Sequence, residues 1–95
     1  TLFIHGNVAS NRWWLPTSEV FQTESSGKNY SGDMICAEFL GCGLSQAPQK
    51  AEDVNMLRFA EDFIDLLQDY KKQKNSDEKF NLVGHSTGGF IAAVM

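Results

Sequence analysis

Three short apolar runs alternate with longer mixed segments along the chain, and each run ends at glycine or a polar turn. Residues 1–4 run into His5-Gly6-Asn7, residues 34–40 into Gly41-Cys42-Gly43, and residues 80–83 into Gly84-His85-Ser86-Thr87-Gly88-Gly89. Their short length and the glycine or polar turn that ends each predict strands, each opening into a glycine-bearing loop. Leu57, Ala60, Ile64 and Leu67 recur at the 3-4-3 spacing of one buried stripe, with Phe63 and Tyr70 beside them, and predict a helix over 53–74. Glu52 and Asp53 near its start and Lys71, Lys72 and Lys74 near its end suit the helix dipole. Trp13, Trp14, Val20 and Phe21 predict a less regular helix over 12–23, with Pro16 confined to the first turn. Residues 90–95 are apolar on all sides and predict a buried helix, whereas 24–32 read as a polar connection and Asn75-Ser76-Asp77 as a turn. Strands alternating with helices in this way form βαβ units, so the fold class is α/β with a three-stranded parallel sheet flanked by helices.

Composition narrows the function classes. Twelve acidic residues against eight Lys and Arg give a net charge of −4 over 95 residues, which argues against a nucleic-acid surface. The lysines at 71, 72 and 74 read as a solvated helix end, and Glu61, Asp62, Asp65 and Asp69 as a solvated helix face in preference to a metal site. No apolar run reaches the roughly 20 residues that cross a bilayer. Cys36 and Cys42 fit no metal or redox spacing and read as free thiols, which favours a reducing, cytoplasmic compartment. The chain opens on Thr1 already in a strand and stops inside a helix, so it is expected to be one truncated domain of a longer protein.

The chemistry lies after the third run. Gly84-His85-Ser86-Thr87-Gly88 is a G-x-S-x-G pattern between a strand and a helix. A serine on so sharp a turn projects its Oγ at the carboxyl edge of a sheet and carries the backbone strain itself. Small residues two positions to either side, Gly84 and Gly88, relieve the crowding, and Gly89 reads as a further close-packing position. The N–H of Thr87, heading the helix, points where a tetrahedral oxyanion would form. Three fixed positions recur by chance in roughly 3% of chains this long, so the context decides. That context includes a second glycine loop at a strand end, His5-Gly6-Asn7, able to offer another N–H.

These segments resemble the α/β-hydrolase fold family, and the resemblance spans nearly the whole chain. Leu2-Phe3-Ile4-His5-Gly6-Asn7 is similar to the family's third strand and oxyanion loop, with Ser10 and Trp13-Trp14 where a serine and an aromatic are frequent. Glu38-Phe39-Leu40-Gly41-Cys42-Gly43-Leu44-Ser45 is similar to its D-x-P-G-x-G-x-S segment, with Glu38, Leu40 and Cys42 as departures. Asn81 to Gly89 is similar to its fifth strand and nucleophile elbow. The resemblance implies that Ser86 is the nucleophile and that the N–H groups of Asn7 and Thr87 form the oxyanion hole. It further implies that His5 braces its loop and that His85 leans away from Oγ, while Gly6, Gly84 and Gly88 support the turns. It also places residues 1–4 at the centre of the sheet, with the other two strands on either side.

A serine nucleophile needs a base and an acid, which in this family follow it in the chain. None of the nine residues after Ser86 is acidic or His, so both are expected outside these residues. His5 as a substitute base is weaker than His5 as a turn brace. The leading reading is a serine hydrolase of carboxylic ester, lactone or related small-molecule acyl substrates, with no cofactor and no metal. The 95 residues alone are expected to be almost inactive. Two other readings stay open: a non-catalytic binding unit that associates through its open sheet edges, and an anion-binding glycine loop, which lacks the Lys of a phosphate-binding loop.

Overall fold

Leu2, Phe3 and Ile4 are almost wholly buried, because β1 (Leu2–Ile4) is the middle strand of a parallel sheet. The computed structural model describes residues 1–24 and 32–95. Strand β2 (Ile35–Ala37) lies on one side of β1 and β3 (Leu82–Gly84) on the other, with Leu2 opposite both Ile35 and Leu82. The expected sheet is therefore present, with its order as expected. Most of the polar connection read over 24–32 lies outside the described residues.

The pleat of β1 sends successive side chains to opposite faces. Phe3 meets Trp14 (ring centroids 5.2 Å apart) and Phe21 (6.3 Å) beneath helix α1 (Leu15–Glu24). Leu2 and Ile4 enter the larger core with Ala37, Phe39, Phe59, Ala60, Phe63 and Ile91, covered by α2 (Met56–Lys74) and α3 (Thr87–Val94). One strand thus supplies the apolar contacts of two layers.

The helices begin and end where capping groups allow. A 3-10 turn over Asn11–Trp14 precedes α1, capped by Ser10 Oγ, which accepts from the Arg12 N–H at 3.3 Å. Pro16 falls in the first turn of α1, where its missing N–H costs no helical bond. Of the expected apolar face, Trp14 is buried and Phe21 reaches Phe3, but Trp13 and Val20 point outward. Helix α2 starts three residues later than expected, because Asn55 caps it by accepting from the Arg58 N–H at 2.8 Å. It ends at Asn75, whose left-handed φ of 49° turns its N–H back to the carbonyls of Lys71 and Lys72.

Three expectations need correction. The buried stripe of α2 keeps the expected Ala60 and, partly buried, Leu67, but it centres on Phe59 and Phe63, whose rings pack on Phe39, and this rotation leaves Leu57 65% exposed. The strand read over 34–40 stops at Ala37, because the Phe39 N–H bonds to a His5 side chain instead of a strand carbonyl. Helix α3 starts at Thr87 and is not buried all round. Gly88 and Ile91 face the core, while Phe90 is 68% exposed on the side without a described neighbour. Among the described residues, β2 and β3 are open sheet edges, with Leu82 and Val83 partly exposed, and no helix is long and apolar enough to cross a membrane.

The contact that seats α3 is backbone on backbone. A Cβ at Gly88 would collide with the carbonyl oxygens of Ile4 and His5, and one at Gly84 with the carbonyl of Gly88. At Gly89 a Cβ would meet only ordinary contacts, 3.6 Å from the Gly84 oxygen, so the close-packing glycine is Gly88 and not Gly89. Urea unfolding is expected to show Gly88→Ala destabilised by about 3 kcal/mol, from overpacking against rigid backbone. Gly89→Ala, inside the helix, should be neutral or more stable by up to about 1 kcal/mol. Equal behaviour of the two variants would contradict this packing.

Candidate active site

Strand β3 ends at Gly84 and α3 starts at Thr87, leaving two residues to reverse the chain. Ser86 absorbs the bend with φ 54° and ψ −120°, a conformation that costs a non-glycine residue about 1–3 kcal/mol. The turn closes through the Gly88 N–H to the His85 carbonyl (2.9 Å) and the Gly89 N–H to the Ser86 carbonyl (2.8 Å). Ser86 is exposed at the carboxyl edge of the sheet, and among the described residues its hydroxyl has no hydrogen-bond partner.

The loop after β1 lies directly beside this turn. A Cβ on Gly6 would come within 3.0 Å of His85 Nδ1 and 3.3 Å of Ser86 Cβ, so the missing side chain lets the two loops approach. Asn7 follows and is exposed. Among the described residues, the amides of Asn7 and Thr87 donate to no protein acceptor. The structure therefore brings His5, Gly6 and Asn7 next to Gly84, His85, Ser86, Thr87 and Gly88. Among the described residues it supplies neither a base nor an acid hydrogen-bonded to the serine.

His5 is fully buried, and its ring carries two hydrogen bonds. Nε2 accepts from the Phe39 N–H at 3.3 Å, which leaves Nδ1–H to donate to the Gly6 carbonyl at 2.7 Å. Both nitrogens are thereby engaged, and His5 has no free nitrogen to take a proton from Ser86. The Gly6 carbonyl and the Asn7 N–H belong to one trans peptide and point in opposite directions. Anchoring the carbonyl to His5 therefore fixes the direction of the Asn7 N–H. Phe39, tilted against the His5 ring with centroids 4.1 Å apart and stacked on Phe59 at 5.0 Å, ties this arrangement to α2.

Glu38, standing where the family pattern has Asp, bridges two loops. Its Oε2 accepts from the Leu44 N–H at 3.0 Å and its Oε1 from the Asn11 N–H at 3.4 Å. Cys42 packs nearby; burial, then the Glu38 charge, pushes its thiol pKa up, and burial does the same for Cys36. Both cysteines are free.

A cleft of about 480 Å³ opens over Ser86, walled by Gly6, Asn7, Ser10, Arg12, Trp13 and His85. The His85 ring stacks on Trp13 with centroids 4.9 Å apart and planes 24° apart, so it forms a wall of the cleft and makes no hydrogen bond to Ser86. The adjacent tryptophans separate: Trp14 packs in the core and Trp13 faces the cleft. Sequence reasoning did not single out Arg12 or Val8. Arg12 could have been found from its place between the loop serine and the tryptophan. Val8, 94% exposed with φ 55°, carries no sequence signal for that conformation.

The model of a family described as having the alpha/beta hydrolase fold matches residues 2–95. Among solved structures, an extracellular α/β-hydrolase from a Paenibacillus species is similar to this chain at a TM-score of 0.64 and 25% identity. It is described as sharing structural and functional homology with tobacco salicylic acid binding protein 2. The match covers 96% of this chain and 31% of that one. No curated protein matches the sequence significantly. With the strand order, the strained serine turn and a family match across residues 2–95, the chain belongs to the α/β-hydrolase fold family.

Proposed function

We propose that the protein is a serine hydrolase acting on a carboxylic ester, lactone or related acyl substrate. The observation that carries this reading is Ser86 held at φ 54° on a strand-to-helix turn, its hydroxyl unpartnered beneath a cleft. In the proposed reaction, Ser86 Oγ adds to the substrate carbonyl carbon as its proton passes to a base. The carbonyl π electrons move to oxygen, where the N–H groups of Asn7 and Thr87 stabilise the charge. Collapse expels the alcohol, which takes up the proton, and water then releases the acid from the acyl-serine. The base, a His, and its orienting carboxylate come from residues other than these 95. The solved neighbour's stated homology to a salicylic acid binding protein supports a substrate on the carboxylic acid side of this chemistry.

In the full-length protein, Ser86→Ala is expected to lower kcat/KM by about 10⁴-fold or more, and a fluorophosphonate should add to Ser86 alone. Turnover within tenfold of the parent would refute the assignment.

His5 acts in this reading as a positioning residue. His5→Asn keeps a donor for the Gly6 carbonyl but loses the acceptor for Phe39, whereas His5→Ala loses both. Losing one aligned oxyanion donor costs about 10²- to 10³-fold, so kcat should fall in the order parent, Asn, Ala, with KM nearly constant. A loss confined to KM, or equal loss in both variants, would show that His5 does not orient the Asn7 N–H.

A further inference from the structure

We infer that the cleft selects an acyl substrate carrying a permanent anionic group beside a flat ring, with Arg12 as the charge-selecting residue and Trp13 as the stacking surface. This inference rests on the hydrolase reading and names its substrate class. The chain is acidic overall, at −4, yet among the described residues Arg12 is the one formally charged side chain lining the cleft over Ser86. Its guanidinium has no ion-pair partner among the described residues, where the pairs are Arg58 with Asp62 and Lys74 with Asp33. An exposed guanidinium without an ion pair, on a residue that lines the cleft, retains its planar set of donors for a carboxylate or phosphate.

Trp13 supplies the second half of the site. One part of the indole lies against His85, while 54% of the residue remains exposed. The 3-10 turn that carries Arg12 and Trp13 is held by the Ser10 cap and by Glu38 accepting from Asn11, so both side chains project from a fixed backbone. A cleft of about 480 Å³ accommodates one substituted aromatic ring and an ester group. The ester sits over Ser86, the ring against the indole, and the anionic group at Arg12.

The test uses monomethyl terephthalate, which is anionic, and dimethyl terephthalate, which is neutral. Both are titrated by tryptophan fluorescence against full-length protein carrying Ser86→Ala, so that the esters stay intact. The monoester is expected to bind about fivefold more tightly at low salt, the scale of one partly exposed charge-assisted contact. Adding Arg12→Gln should abolish that preference by bringing the monoester to the affinity of the diester in the same variant, and Arg12→Lys should restore part of it. Trp13→Ala should weaken both esters alike. Equal binding of the two esters, or a preference that survives Arg12→Gln, overturns the inference. Fluorophosphonate labelling of the parent protein reports on the underlying reading separately. Labelled Ser86 with no preference defeats the selectivity alone, and unlabelled Ser86 defeats the hydrolase reading and the ester selectivity with it.

Discussion

The contact between Gly88 and the carbonyls of Ile4 and His5 is the constraint on which the site depends. It seats the first turn of α3 on the end of the central strand, leaving room for neither a side chain nor an intervening water. With β3 already in register beside β1, the chain has only His85 and Ser86 in which to reverse. The strained dihedrals at Ser86 follow from that shortage of chain. Strain of this size persists because the surroundings over-determine it: Ile91 anchors α3 in the core, and Gly84 and Gly88 allow the two arms of the turn to meet.

A second constraint runs through His5. Burying an imidazole is unfavourable unless both nitrogens find partners, and here one is the Gly6 carbonyl of its own loop and the other the Phe39 N–H of the loop after β2. The same bonds shorten β2, since the amide of Phe39 is diverted from the ladder. They also couple the loop after β1 to the aromatic stack of Phe39, Phe59 and Phe63. The orientation of the Asn7 amide is thus set by core packing some distance from the cleft. This is why a residue with no free nitrogen for catalysis sits so close to the serine.

The three strands and the Ser86 turn were legible because glycine spacing and strand-length apolar runs report local backbone requirements directly, whereas the order of the strands was implied by the family resemblance. Features that depend on which surfaces meet were not. Leu57 fits the helical period as well as Phe59 does, but only Phe59 faces the Phe39 ring, and ring stacking decided the rotation of α2. The tryptophans at 13 and 14 are equivalent by composition, and the 3-10 turn sends one to the core and the other to the cleft. Gly88 and Gly89 both read in the sequence as positions that need a small residue. Only the line of approach of β1 makes one essential and the other replaceable. Arg12 was passed over because a lone cation stands out only once the neutral walls around it are known.

Val8 extends the argument to the other loop. A β-branched residue at φ 55° is unfavourable, and at 94% exposure it receives almost no packing in return. Its conformation must therefore be imposed from the two ends of the loop. Upstream, His5 fixes the Gly6 carbonyl; downstream, the Ser10 cap and the Glu38 bond to Asn11 fix the start of the 3-10 turn. Between those anchors there are too few residues to relax. Both edges of the cleft, the loop at Val8 and the elbow at Ser86, are consequently held away from their local preferences by bonds to the sheet and its adjoining loops. A site built this way keeps its amides oriented in advance, and in the proposed hydrolase reaction that would leave little reorganisation for the moment when negative charge develops.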